Sequence, residues 1–182
     1  KGMGAALLMS STRSILRLVA ETGLPPGQVL SRVNSILLRD FPEAKFVTMV
    51  YGLLDPKKRG IVFANAGHLH PLLVDSSGAH FLETDAGLPL GIREGSFSER
   101  AVEMASGNRL VFYSDGVTEA MNSSLQQYGE TRLRDHVIKP SATVQSLLDD
   151  VRSFTAGQPA SDDVTVVMIQ TYEDAIQAAN FT

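Results

Sequence analysis

The order in which hydrophobic periodicity changes along the chain constrains the fold more than any other feature. From Ala5 to Ala20 apolar residues fall at Leu8, Ile15, Leu18 and Val19, a helical spacing that Gly23 stops. Pro25-Pro26 opens a second helix with Val29, Leu30, Val33, Ile36 and Leu37 on one face, ending near Asp40 before Pro42. The texture then becomes β-branched and aromatic. Phe46–Leu54 and Gly60–Asn65 read as a hairpin about the Asp-Pro-Lys-Lys-Arg-Gly turn. Pro71–Asp75 and Ala79–Leu82 form a second pair about Ser76-Ser77-Gly78, and Phe97–Met104 with Asn108–Tyr113 a third about Ala105-Ser106-Gly107. Helical spacing returns over Thr131–Lys139, closed by Pro140. Ser141 is then placed to cap a helix bearing Val144, Leu147, Leu148, Val151 and Phe154, which Gly157 ends. Asp163–Thr171 is a final strand. Strands and helices are segregated rather than alternating, which predicts an α+β fold and argues against a doubly wound nucleotide-binding sheet.

Composition excludes several function classes. The 182 residues suffice for one domain with its own core, with no linker rich enough in Pro, Gly or Ser to divide them. A net charge of −4 lacks the positive field of a nucleic-acid binder. The one basic run, Lys57-Lys58-Arg59, lies between Asp55-Pro56 and Gly60 and reads as an exposed hairpin turn. The absence of cysteine rules out disulfides, thiolate metal sites and cysteine nucleophiles, and fits a reducing, cytoplasmic setting. No apolar run approaches the roughly 20 residues of a membrane span. Lys1-Gly2-Met3-Gly4 runs straight into the first helical pattern, so the chain is read as part of something longer.

Two acidic motifs stand at strand ends. Ser114-Asp115-Gly116 follows the apolar strand Leu110–Tyr113, with Gly116 allowing a sharp turn. Asp162-Asp163-Val164-Thr165 precedes the strongest strand in the chain. Alone, the first reads as an ordinary turn and the second as a solvated cap; together they could converge on a hard cation such as Mg²⁺ or Mn²⁺. His68 and His70 are two apart, but Gly67 and Pro71 make that stretch an irregular loop with no third zinc ligand near. His80 and His136 are placed at the surface. Ser114 is not in a nucleophile elbow, and Lys1-Gly2-Met3-Gly4 lacks the lysine-serine pair of a phosphate-binding loop.

In order along the chain, these pieces resemble the SpoIIE/RsbU-like branch of the metal-dependent, protein phosphatase 2C-like serine/threonine phosphatases. Lys1-Gly2-Met3-Gly4-Ala5-Ala6-Leu7-Leu8-Met9 is similar to the end of that family's Gly-Asp-Val-x-Gly-Lys-Gly-x-x-Ala-Ala-Leu-x-Met motif. Phe46–Gly52, Asn65-Ala66-Gly67-His68 with Pro71, Gly87-Leu88-Pro89-Leu90-Gly91, Leu110–Asn122 and Asp162–Thr165 complete the series. The resemblance covers Lys1 to about Thr171, leaving 172–182 as a frayed or helical tail.

It implies an α-β-β-α sandwich of antiparallel sheets flanked by helices, here without its first strands. It also implies hydrolysis of phosphoserine or phosphothreonine by water bridging two Mn²⁺ or Mg²⁺ ions. Asp115 and Asp162 are the metal ligands and catalytic residues so implied. Asp163 stands behind them, Gly116 allows close backbone approach, and His68 is not made a general acid. The implied substrate is a phosphorylated STAS-type anti-sigma factor antagonist or similar regulator, and the implied companion an upstream sensor or receiver domain. The family's bridging aspartate would precede Lys1, so little or no activity is expected of these residues alone. The alternative is a catalytically silent module that binds without hydrolysing. The two helices from Ala5 to Asp40 are the expected control element, with the face Val29, Val33 and Leu37 altering regulation when changed.

Overall fold

The structure is a computed structural model and describes residues 3–41, 46–84, 87–158 and 162–172. Lys1 and Gly2, which open the glycine-rich segment, and the tail from residue 173 lie outside the described residues. The chain divides into two compact units. One takes in the chain up to His68 together with Glu83–Glu103, the other Leu69–Leu82 and the chain from Met104.

The first unit holds α1 (Met3–Ala20), α2 (Pro26–Asp40), β1 (Met49–Asp55), β2 (Gly60–Ala66) and the strand Glu99–Glu103, which is β5 in chain order. Proline suits the first position of α2, where a helix leaves the N–H unpaired in any case. Gly27 follows because a Cβ there would stand 2.2 Å from the carbonyl oxygen of Phe97. Helix α2 buries Val29, Leu30, Val33 and Leu37 completely or almost so, packed with Leu8 and Val19 of α1 and Ala64 and Ala66 of β2. Leu18, expected on the buried face of α1, is 69% exposed. Thr12 is buried instead, its hydroxyl donating to the Leu8 carbonyl at 2.7 Å. β1 begins at Met49 rather than Phe46, and Val47 bridges Leu90 in antiparallel fashion. The basic turn is as read: the Asp55 carboxylate accepts from the backbone N–H groups of Lys57 and Lys58 at 3.0 and 3.2 Å.

The second unit holds β3 (Leu72–Asp75), β4 (Gly78–Phe81), β6 (Arg109–Tyr113), α3 (Asp115–Thr118), α4 (Gly129–Val137), α5 (Val144–Thr155) and β7 (Val166–Gln170). Its antiparallel sheet has the order β4-β3-β6-β7. The core gathers Leu72, Val111, Val117, Tyr128, Leu133 and Leu147. Three expectations are corrected here. The strands before and after Ala105-Ser106-Gly107 do not pair: Glu99–Glu103 pairs with β2, whereas Arg109–Tyr113 lies between β3 and β7. The reason is a non-local contact, since the Gly107 N–H donates to the Thr171 carbonyl and Thr171 N–H to that of Asn108, tying the turn to the last strand. The cap of α5 is Thr143 and not Ser141, because Thr143 and Ser146 satisfy each other's backbone N–H groups in a capping box. Finally, His136 is only 7% exposed, its Nε2 3.0 Å from the Ser146 hydroxyl.

Candidate active site

The site is built where β6 ends and β7 begins. Tyr113 and Val166 are the last regular partners of that antiparallel pair, so Ser114 and Thr165 come side by side just beyond it. Ser114 N–H donates to the Thr165 carbonyl at 3.0 Å, and Thr165 N–H donates back to the Ser114 hydroxyl at 2.9 Å. The same hydroxyl donates to the Asp163 carbonyl at 3.0 Å. A side chain thus replaces a carbonyl in the ladder, which lets the two strands separate while their polar groups stay satisfied. This role of Ser114 escapes a sequence reading; the only signal is a hydroxyl residue placed immediately between a strand and Asp-Gly.

One residue further, Asp115 opens the short helix α3 rather than a tight turn. Gly116 has no positive φ, so freedom to turn is not its purpose. A Cβ on Gly116 would stand 2.4 Å from the Asp163 carbonyl oxygen and 3.3 Å from that of Asp162. The structure therefore brings the Asp115-Gly116 and Asp162-Asp163 segments together, as the paired motifs suggested. All three carboxylates are on exposed residues. Asp115 accepts from Gly116 N–H at 2.8 Å and Asp162 from Asp163 N–H at 2.9 Å, contacts that hold each carboxylate against its own backbone.

Hard oxygen donors of this kind fit Mg²⁺ or Mn²⁺ in chemistry. In number they supply part of an octahedral set, the rest falling to water, phosphate or other oxygen donors. Among the described residues no three metal-ligating side chains gather in one place. Gly116, Asp162 and Asp163 also line a cavity of about 380 Å³ whose other walls come from α5 and the residues after α3.

No histidine lines this cavity. His68 is framed by buried Asn65, whose side chain accepts from His68 N–H at 2.8 Å and donates to its carbonyl at 3.0 Å. Gly67 beside it takes φ +66° with its Cα against the Pro89 ring, which locks the Asn-Ala-Gly-His turn on the following loop. His80 is paired at 3.5 Å with Asp75, a carboxylate held below its ordinary range by hydrogen bonds from Ser77.

Antiparallel sheets with helices and carboxylate loops at a strand edge define a protein phosphatase 2C-like domain. The SiaA-PP2C domain of Pseudomonas aeruginosa matches with a TM-score of 0.79 at 19% identity, covering 93% of this chain and 71% of that one. The RsbU and RsbW domains of Rv1364c from Mycobacterium tuberculosis match with a TM-score of 0.75 at 27% identity, over 94% of this chain and 49% of that chain. Residues 1–172 fit the family model of stage II sporulation protein E, and the chain belongs to this SpoIIE family. It is similar to the phosphoserine phosphatase RsbU of Bacillus subtilis (strain 168), 28% identical over 176 residues, which cover 93% of this chain. The match takes in 52% of RsbU, so the chain spans about half the length of that relative. No helix among the described residues is long and apolar enough to cross a membrane.

Proposed function

We propose that the protein is a metal-dependent phosphoprotein phosphatase that hydrolyses phosphoserine or phosphothreonine on a bacterial regulatory protein. Family membership and the similarity to RsbU support the reaction class. The observation that carries it in this chain is the approach of Gly116 to Asp163, which holds two carboxylate-bearing strand ends together. The proposed substrate is a phosphorylated STAS-type anti-sigma factor antagonist or a similar regulator in the cytoplasm, with a sensor or receiver domain governing the reaction.

Asp115 and Asp162 are the proposed ligands for Mn²⁺ or Mg²⁺, Asp163 orients its neighbour, and Gly116 keeps the backbones close. When bound, the ions supply Lewis-acid activation of water and neutralise the phosphoryl group. The chain's own part is positional. Backbone N–H donation to Asp115 and Asp162 fixes one oxygen of each, and the Ser114 bridge sets the gap between their strands. Two carboxylates are a sparse set for ions that demand near-octahedral geometry, so these 182 residues alone are proposed to have little or no activity.

The deciding experiment is Mn²⁺-dependent hydrolysis of a phosphoserine peptide by the intact protein and by its Asp115→Asn form. Loss of metal-ligand outer partners costs roughly 10–100-fold, so removing a ligand should cost more than about 100-fold. Inert wild-type protein with an intact fold would instead support a binding module.

A further inference from the structure

The cavity beside the carboxylate edge shares Gly116, Asp162 and Asp163 with the metal chemistry proposed above, but its other walls take no part in it. Its volume, about 380 Å³, falls in the range of roughly 300–1,000 Å³ typical of ligand pockets. Gly116, Asp162 and Asp163 form one side, and the rest of the lining is largely aliphatic. Ala120 and Met121 follow α3, Leu148 and Val151 come from α5, and Val164 precedes β7. Met121 is 42% exposed and Val164 36%, so the fold leaves both in contact with water. Scattered exposed apolar residues are ordinary, but these two share one concavity with half-buried Leu148.

The walls are held in place before anything binds. Met121 bridges Gln127 across a tight loop. Within that loop the Asn122 side-chain carbonyl accepts from the N–H groups of Ser124 and Gln126, both at 3.0 Å. Tyr128 N–H closes it on the Ala120 carbonyl at 2.8 Å. On the α5 side, the capping box fixes the helix start and the Tyr128 hydroxyl donates to Asp150. A preformed wall spares a partner the cost of ordering it. Arg152 adds a cation to the lining, its side chain 71% exposed and its guanidinium 3.1 Å from Asp149.

We infer that this cavity is a specificity subsite that takes an aliphatic side chain of the phosphoprotein substrate, from a residue one or two positions from the phosphoserine. The inference rests on the phosphatase reading. The walls select an aliphatic group, and the shared residues Gly116, Asp162 and Asp163 place the subsite next to the metal edge. An extended peptide advances about 3.3–3.6 Å per residue, so a near neighbour of the phosphoserine is the part within reach. The exposed guanidinium of Arg152 complements a segment that carries a phosphate.

The test uses the intact protein with Mn²⁺ and two phosphoserine peptides bearing leucine or glycine at the two positions on each side. p-Nitrophenyl phosphate serves as a substrate without any flanking residue. Wild-type kcat/KM should be about tenfold higher for the leucine peptide, the discrimination an aliphatic pocket provides. Met121→Glu, which charges the cavity, and Thr155→Phe, which fills it, should each erase that preference at an unaltered melting temperature. Equal wild-type rates on both peptides, or a preference that survives both variants, would overturn the subsite while p-nitrophenyl phosphate hydrolysis still upheld the phosphatase. No hydrolysis of any of the three substrates would overturn both.

Discussion

The Cα of Gly116 lies so close to Asp163 that an added methyl carbon would stand 2.4 Å from the Asp163 carbonyl oxygen. The obstacle is backbone, not a movable side-chain tip, so the strand ends must part to admit a Cβ. Gly116→Ala should therefore destabilise the protein by about 1–3 kcal/mol, the usual cost of overpacking. It should also weaken Mn²⁺ binding, because the two acidic segments move apart. Thermal melting and metal titration check the two effects separately. A variant with wild-type melting and metal affinity would show the contact to be easily relieved.

Ser114 spans the same gap through its hydroxyl, which accepts from Thr165 N–H and donates to the Asp163 carbonyl. Ser114→Ala leaves both groups without that partner. The expected cost is about 1 kcal/mol of stability, with a fall in Mn²⁺ affinity of roughly tenfold as for other supporting partners of metal ligands. Ser114→Thr retains the hydroxyl and should recover much of the affinity; calorimetric metal titration of the three proteins decides.

The face Val29, Val33 and Leu37, proposed as a control surface, is the core of the first unit, each residue 1% exposed or less. Leu37→Ala should thus cost about 2–5 kcal/mol in unfolding by urea. An effect on regulation at unchanged stability would restore the control role for that face.

Tyr128 has its ionisation pushed above the ordinary 10.0, first by burial and then by the hydrogen bond to Asp150. The fold therefore favours the neutral phenol. Its contribution is complete below about pH 10 and is lost as the pH rises from there toward the folded-state value. Tyr113, raised by burial and the charge of Glu130, acts in the same sense. The melting temperature should fall with rising pH above about 10, and Tyr128→Phe should flatten that fall. The same variant should lose about 1 kcal/mol at neutral pH with the Asp150 hydrogen bond. Equal slopes for both proteins would assign the alkaline transition to other groups.

Much of the fold was legible because local chemistry decides it. The spacing of Val29, Val33 and Leu37, the Pro25-Pro26 start and the β-branched and aromatic texture of β2 mark their elements without reference to the rest of the chain. The acidic motifs were legible too, since each sits against an apolar run that must be a strand. Other features were settled by non-local contacts. Ala105-Ser106-Gly107 announced a reversal, yet which strand receives Arg109–Tyr113 depends on Leu72, Val111 and Met168 meeting in one sheet. His136 looked like a surface residue by its neighbours in sequence and is buried because Ser146, on the next helix, meets its ring.

The sequence by itself determined most of the element order, short of the helix α3, and the two strand-end acids, which depend on residues within a few positions of one another. Tertiary structure alone decided that Asp115 and Asp162 share an edge, that Ser114 fastens it and that Gly116 admits the Asp163 backbone. The physical reason is distance along the chain: 49 residues separate Ser114 from Asp163. Only the packing of β6 against β7 turns that separation into a hydrogen bond.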